Sequence, residues 1–261
     1  MHMGSMRAAV LASLFVAAAF AGPPALADQR DDFLAGLTID CPGCDLKEVR
    51  LKRVNLAGAN LAGADLTFAT LHASNLSGAD LSGAILVDAN LNLADLRRAN
   101  MAGADLTRAL AYAARFDLAD LSGATMTELK GQTAELTGAN LSGAYLRSAD
   151  IRLARMANAI FSNADLGYVR ADRVHARAAD FTDAVLYHAN FPDAEIVDAD
   201  FTGADLRLID LWRADLTRAK MVRVDLSGAR LLQATVTDAE FVDSVWEKTV
   251  LPDGTVYPAA Q

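Results

Sequence analysis

Large apolar residues recur at every fifth position of this chain, from Leu46 to Trp246, without a change of phase. About 37 of these 41 repeat centres are Leu, Met, Phe, Ile, Val or Trp, and about 31 have Ala two positions earlier. Helical residues five apart are rotated by roughly 140°, so a helix would scatter the centres around its whole surface. A straight strand fails as well, because an odd period alternates between its two faces. The pattern therefore predicts short extended segments joined by corners, with Ala and the centre residue inside a coil.

The residue between Ala and the centre is Asp or Asn in about half of the units, as in Ala59-Asn60-Leu61-Ala62-Gly63. This consensus resembles the pentapeptide-repeat proteins over about 200 of the 261 residues. The resemblance implies an all-β fold, a right-handed quadrilateral parallel β-helix in which four pentapeptides make one coil. The chain would then contain about ten coils, stacked about 4.8 Å apart.

A second period, in which residue types recur at every twentieth position, supports four-sided coils. One column of corner positions holds residue types that tolerate positive φ, and it predicts type II turns. Its members are Gly63, Gly83, Gly103, Gly123, Gly143, Asn163, Asp183 and Gly203. The neighbouring column runs from Glu48 through Phe68 to Tyr168 and has no glycine before Gly228, which predicts another turn type there.

Four repeat centres are small, and three of them share one column: Ala111, Gly131 and Ala171, with Ala176 as the next centre along the chain. Larger residues accompany them in the same coils. These are Phe116, Leu129, Phe161, Val169 and Val174. Because cores tolerate changes that conserve volume, the pattern predicts repacked layers. The alternative is a flatter or more irregular stretch of that side.

The N-terminus has the features of a signal peptide, residues 1–27. Arg7 precedes the apolar stretch from Ala8 to Ala21, and Ala25-Leu26-Ala27 is a small-residue cleavage motif. We therefore expect a periplasmic or secreted protein without a transmembrane segment after cleavage.

The rest of the chain divides into three parts. Residues 28–43 are predicted to form an N-terminal cap, residues 44–248 the β-helix and residues 249–261 a C-terminal tail. In the cap, Asp32, Phe33, Leu34 and Leu37 suggest a short amphipathic turn or helix. At the other end Trp246 is expected to plug the last coil, and Leu251-Pro252-Asp253-Gly254 to form a turn.

Two cysteines lie in Cys41-Pro42-Gly43-Cys44, just before the first coil. A thioredoxin-like redox site would need a βαβ setting, and a metal site would need further ligands. The structural interpretations are a disulfide between Cys41 and Cys44 or a buried thiol at Cys44. A Cys-x-x-Cys before the first unit is also similar to what many pentapeptide-repeat proteins carry.

The polar residues give no catalytic constellation. His72, His175 and His188 occupy outward positions and share no column, and the many Asp residues belong to the repeat. Asp or Asn before the centre is expected to bond to nearby backbone. Neutral and acidic residues alternate along one column, from Asn60 and Asp80 onwards, and opposite charges alternate along others. We therefore predict no enzyme activity, no cofactor and no metal ion. The acidic residues near the C-terminus are interleaved with arginines, which argues against calcium binding.

A few outward positions are apolar, and they suggest a partner-binding patch. The candidates are Leu93, Leu110, Tyr112, Leu118 and Leu153. Tyr187 and Trp212 are expected to be separate exposed aromatic residues.

Net charge bears on the partner. The chain carries −9, and about −10 after removal of residues 1–27, which argues against direct binding of nucleic acid. The leading hypothesis is a non-enzymatic interaction or structural module of the cell envelope or periplasm, with an envelope protein or a glycan as partner. Homodimerisation remains open; the resemblance implies that it would use the C-terminal end. The resemblance also implies an alternative, a DNA mimic that binds DNA gyrase or topoisomerase and protects it from quinolones.

Overall fold

The computed structural model describes residues 26–258. One helix, α1, spans Leu26–Leu34, and four-sided coils follow it. Within the described range no β-strand longer than a single bridge residue occurs. Each side of a coil contributes one bridge residue, paired in parallel with the equivalent residue of the next coil, from Asp45↔Asp65 to Arg230↔Val250. The prediction of four pentapeptides per coil and about ten coils is confirmed.

Adjacent coils are joined by a repeating set of backbone hydrogen bonds. On the first side, Leu46 N–H donates to the Asp65 carbonyl at 2.7 Å, and Asp65 N–H donates to the Cys44 carbonyl at 2.9 Å. Glu48 N–H donates to the Thr67 carbonyl at 2.9 Å. Because the backbone is satisfied between coils, the interior needs no polar side chain. The inward Ala and centre residues, such as Ala59 and Leu61, are fully buried.

At nearly every corner the chain turns from one side of the coil to the next through the same hydrogen bond. The carbonyl of the centre residue accepts a bond from the N–H three residues later, as between Leu66 and Ala69 at 2.9 Å. The third residue of the turn has positive φ at all 41 corners from Glu48 to Lys248. The predicted positive φ of the Gly63 column is confirmed.

The prediction of a different turn type in the neighbouring column is wrong. Glu48, Phe68 and Tyr168 have φ of 59°, 58° and 60°, close to the values of the glycines. A side chain in this region costs roughly 1–2 kcal/mol. The cost is tolerated because a coil with inward centres on all four sides needs the same turn at each corner.

The coils with small centres are repacked and not flattened. The Cδ2 atom of Leu129 lies 3.0 Å from the place that a Cβ atom on Gly131 would occupy. Leu129 therefore fills the volume that a large centre residue fills elsewhere. Bridges continue through these coils, including Arg170↔Asn190 and His175↔Glu195, so the side remains regular.

The N-terminal end of the β-helix is covered by α1 and the segment that follows it. Phe33 is 5% exposed and packs against the core, whereas Leu34 and Leu37 are 44% and 77% exposed. Phe33 alone therefore fulfils the expected apolar contact. Residues 1–25 of the predicted signal peptide lie outside the described residues, and Leu26 and Ala27 begin α1.

A disulfide joins Cys41 and Cys44, and both residues are buried against the first coil. Arg30 Nε also donates to the Asp45 carbonyl at 2.6 Å, which ties α1 to the same coil. Both contacts fix the entrance of the chain into the β-helix.

The C-terminal end is closed by aromatic residues and a hairpin. Trp246 is half-buried, with ring centroids 4.7 Å from Phe241 and 6.2 Å from Tyr257. Val250 pairs antiparallel with Val256, and the turn expected after Leu251 is present. The helix within residues 26–258 is too short and too polar to cross a membrane.

Candidate interaction faces

The column arrangement divides the β-helix into four long faces. Face A is formed by residues 44–48 and by the equivalent residues of every later coil. Faces B, C and D start in the same way from residues 49–53, 54–58 and 59–63. Face B therefore lies opposite face D.

Charge is distributed unequally between these opposite faces. Within residues 44–248, face B has nine basic residues against four acidic ones, and face D has seven acidic residues against two basic ones. The basic residues of face B are Arg50, Lys52, Arg53, Lys130, Arg152, Arg170, Arg173, Arg213 and Arg230. The acidic residues of face D are Asp80, Asp120, Asp180, Asp183, Asp200, Glu240 and Asp243. The protein as a whole is negatively charged, but face B carries a net positive charge.

Most of the predicted apolar patch lies on this basic face. Leu93, Leu110, Tyr112 and Leu153 belong to face B and are 39–52% exposed. Leu93 N–H donates to the Tyr112 carbonyl at 2.9 Å, so these two residues lie on adjacent coils. Leu153 is three coils beyond Leu93, about 14 Å along the axis. Leu118, 57% exposed, lies on face C, where its side chain leans over Gly138.

An aromatic cluster on face A was not predicted. Tyr168 stacks on His188 at 5.4 Å, and both rings meet Tyr187, at 5.6 and 5.2 Å. Arg147 lies over the Tyr168 ring at 5.3 Å, and Arg207 over the Tyr187 ring at 5.5 Å. Tyr187 is separate from the apolar patch of face B, as expected, but it belongs to this cluster of rings. Tyr168 and His188 are one coil apart in the sequence, and this spacing could have predicted their contact.

Trp212 lies apart from that cluster, on face B. Its ring is half-buried between the guanidinium groups of Arg213 and Arg230, at 5.1 and 5.8 Å. Both contacts have the geometry of a cation–π interaction, in which a cation lies over an aromatic ring within about 6 Å of its centroid.

The Asp and Asn residues of the repeat bond to the backbone as predicted. Thr67 N–H donates to Asp65 Oδ1 at 3.1 Å, and the same two-residue contact recurs along the chain. In the alternating column, Asn100 Nδ2 donates to Asp80 Oδ1 at 3.0 Å. The neutral residue thus supplies a donor to the carboxylate of the preceding coil, which relieves the repulsion of stacked charges.

Asp150 on face B is the most enclosed carboxylate of the coils, at 4% exposure. Arg152 binds it through two bonds of 2.8 Å, and Gln132 Nε2 and Arg170 Nη1 donate at 2.8 and 3.4 Å. Burial raises the pKa of Asp150, but the bonds from Arg152 and Gln132 outweigh it and leave the pKa below 3.8. The group is ionised at neutral pH and holds three coils together.

Acid is expected to destabilise the β-helix. Burial raises the pKa of Asp205, yet the bond from Arg207 outweighs it; the bond from Arg97 lowers the pKa of Asp95. Since these folded-state values lie below the unfolded value of about 3.9, the stabilisation is complete above it and disappears as the pH falls through the folded pKa. We expect the urea midpoint to be constant near neutral pH and to fall below about pH 4. Asp205→Asn should reduce the steepness of this fall, and a midpoint that rises with acid would contradict the assignment.

No group of three or more His, Cys, Asp or Glu residues suited to a metal ion occurs in residues 26–258. His175 Nδ1 instead lies 2.9 Å from Glu195 Oε2. The acidic residues near the C-terminus form ion pairs with arginines. Arg218 binds Asp198 at 2.6 Å, and Arg207 binds Asp205 at 2.6 Å.

The coils of four pentapeptides with four like corners define a quadrilateral β-helix, the architecture of pentapeptide-repeat proteins. The profile of the pentapeptide repeats matches this chain in eight copies, over residues 44–110 and 114–233. The chain belongs to the pentapeptide-repeat family, and its β-helix is right-handed.

The chain is similar to several solved structures of pentapeptide repeat proteins. HetL, a pentapeptide repeat protein involved in regulation of heterocyst differentiation in the cyanobacterium Nostoc, is 30% identical. The match covers 87% of this chain and 98% of HetL, with a TM-score of 0.50. A pentapeptide repeat protein from the Arabidopsis thaliana thylakoid lumen is 31% identical over 43% of this chain and 68% of its own, with a TM-score of 0.23. QnrB1, a plasmid-mediated fluoroquinolone resistance protein, is 20% identical over 73% and 86%, with a TM-score of 0.23. No curated protein matches the chain.

Proposed function

We propose that this protein is a non-enzymatic interaction module of the cell envelope or periplasm. It presents a rigid β-helical surface to an envelope protein or a glycan. The observation that carries the proposal is face B, where a surplus of basic residues and the exposed Leu93, Leu110 and Tyr112 lie together. Aromatic and apolar residues within a charged rim are typical of binding surfaces.

The shape of the fold supports this proposal. Each coil is bonded to the next through its backbone, so the side chains of face B keep fixed positions relative to one another. A preorganised surface loses little conformational entropy on binding. The N-terminal sequence supports an exported location, and the disulfide between Cys41 and Cys44 suits an oxidising compartment.

The location can be tested in the native cell by fractionation and mass spectrometry of the mature N-terminus. We expect a periplasmic or secreted chain that begins at Asp28. A cytoplasmic chain that retains residues 1–27 would contradict the proposal.

The binding face can be tested by placing a photoreactive residue at Tyr112 on face B. Ser142 on face D is the matched control, since both occupy the second position of a corner turn. We expect one discrete envelope adduct from position 112, lost when Leu93→Asp is added, and none from position 142. Equal crosslinking from both faces would argue against a specific role for face B.

The gyrase-binding alternative is favoured by a single feature, the acidic surplus of face D. Asn residues separate its acidic side chains in the first five coils, which lowers the charge density there. A supercoiling assay with purified gyrase distinguishes the two functions. Inhibition, or protection from a quinolone, at stoichiometric protein would favour the DNA mimic and contradict the envelope role.

A further inference from the structure

The N-terminal end of the β-helix is covered on two of its four sides. Residues 39–43 add to face D of the first coil through two backbone bonds of 2.8 Å, and the Arg30 side chain donates to the Asp45 carbonyl on face A. On faces B and C, residues 49–58 form the edge that points away from the second coil. No backbone group of residues 26–258 pairs with this edge, which we call the open edge.

The backbone of the open edge lacks bonds that every later coil of face B forms. Arg230, in the same column as Arg50, shows the usual pattern. Its N–H donates to the Ile209 carbonyl at 2.9 Å, and its carbonyl accepts a bond from Leu211 N–H at 2.8 Å. Neither backbone group of Arg50 has a partner among the described residues. Because unpaired β-edges pair readily with extended segments, the open edge is a template for strand addition.

Apolar side chains are also left partly uncovered at the open edge. Val49, Leu51 and Val54 occupy inward positions and are only half-buried, whereas the next residues of their columns are fully buried. Those residues are Ala69, Leu71 and Ser74. An added segment with an apolar inward side chain would remove this surface from water, and that burial would contribute to its binding.

The corner between faces B and C keeps its shape at the open edge. The hydroxyl of the buried Ser74, in the second coil, accepts a bond from Val54 N–H at 3.1 Å and donates to the Leu51 carbonyl. It takes the place of the bond that usually joins the two backbone groups of a corner. Arg53, at this corner, has a φ of 59°, like the later corners of its column. A preorganised edge loses little conformational entropy on binding.

Three cations on the outside of the open edge determine the charge of a suitable partner. Arg50, Lys52 and Arg53 are exposed, and none of them forms an ion pair within residues 26–258. Positive charge beside an unpaired backbone edge favours an acidic segment over a neutral or basic one.

The columns of Arg50 and Arg53 show how such cations pair elsewhere in the molecule. In the column of the first, Arg230 Nε lies 2.8 Å from Asp210 Oδ1. In the column of the second, Arg213 Nε lies 3.0 Å from Asp193 Oδ1. In both pairs the acidic residue belongs to the preceding coil. The first coil has no preceding coil on face B, so a segment added to the open edge would supply the acidic residues.

We propose that the open edge binds an extended acidic segment of another protein, which adds to face B as a parallel strand. Two acidic residues of the segment, three positions apart, pair with Arg50 and Arg53, which have the same spacing. The residue after the first acidic one is apolar and packs on Leu51. The sequence pattern is therefore acidic, apolar, any residue, acidic. Residues 180–183 of this chain, Asp-Phe-Thr-Asp, have this pattern and provide a probe.

The open edge is distinct from the apolar patch of face B, whose nearest member, Leu93, lies two coils away. A second copy of the β-helix fits it less well than a single segment does. The reason is that α1 and residues 39–43 project beyond the first coil on faces A and D. They keep a broad end at a distance and leave room for one extended strand.

Fluorescence anisotropy tests the proposal with the full chain and a labelled peptide that has the sequence of residues 178–186, AADFTDAVL. We expect saturable binding at one site. A peptide with Asn at both acidic positions should bind about tenfold more weakly. N-methylation of its Phe removes the N–H that would donate to the Arg50 carbonyl and should weaken binding about fivefold. Equal binding of the Asn peptide, or no binding of the acidic peptide at millimolar concentration, would overturn the proposal.

Matched variants place the binding at the open edge. The double variant Arg50→Gln, Arg53→Asn should weaken the acidic peptide about tenfold and leave the urea midpoint unchanged. The control is Lys130→Gln, Arg173→Asn, because these residues occupy the same two columns and also lack an ion pair among the described residues. Equal affinity of both double variants would show that the peptide binds elsewhere. Self-association of the full chain in sedimentation, lost in the first variant, would assign the edge to a second copy and overturn the proposal.

Discussion

Phe181→Ala is expected to lower the free energy of unfolding by about 3–5 kcal/mol. Phe181 is the middle ring of a stack inside face D, with centroids 5.0 Å from Phe161 and 4.8 Å from Phe201. Phe191 meets it edge-on at 6.3 Å. Truncation leaves a cavity in one coil, between the rings of Phe161 and Phe201, and the backbone bonds between the coils prevent it from collapsing.

The control for this substitution is Phe68→Ala. Phe68 is 57% exposed at a corner, so its truncation should change the stability by about 0.5 kcal/mol or less. Urea unfolding followed by circular dichroism measures both variants. If both variants lost a similar free energy of unfolding, the aromatic stack would contribute no more to stability than an exposed ring does.

The β-helix follows from the sequence because one signal determines it. Each coil repeats the same inward Ala and apolar centre, so the period of five predicts which side chains point inward. The number of residues per coil came from the resemblance to pentapeptide-repeat proteins, with support from the second period of twenty. The corners were predicted less well. The glycines of the Gly63 column indicate positive φ, but Glu48 and Phe68 adopt the same conformation without any local preference for it. The geometry of the closed coil, not the residue at the corner, sets φ there.

The clusters on the surface are predicted less completely than the core, because they depend on which outward positions of neighbouring coils meet. The one-coil period placed Leu93 and Tyr112 near one another, and the structure finds them on adjacent coils. It could also have joined Tyr168 to His188, but the approach of Arg147 over the Tyr168 ring depends on side-chain conformation.

Restoring the repeat at Leu129 and Gly131 is expected to reveal strong coupling between the two positions. Leu129→Ala alone should cost about 2–5 kcal/mol, because it empties the volume above Gly131. Gly131→Leu alone should cost about 1–3 kcal/mol or more, since a Cβ atom would already lie 3.0 Å from Leu129 Cδ2 and 3.6 Å from Ile151 Cγ2.

The double variant recreates the consensus Ala and Leu, and it should recover most of the stability of the parent protein. Gly131 is not one of the residues with positive φ, so its backbone accepts a side chain without strain. The control pairs Leu129→Ala with Val169→Ala, two coils or about 10 Å along the same column, where the effects should add. If the Leu129 and Gly131 substitutions also added, Leu129 would not be the replacement for the missing centre. Recovery in the double variant would instead show that the β-helix requires a filled volume in each layer, whichever of the two inward positions supplies it.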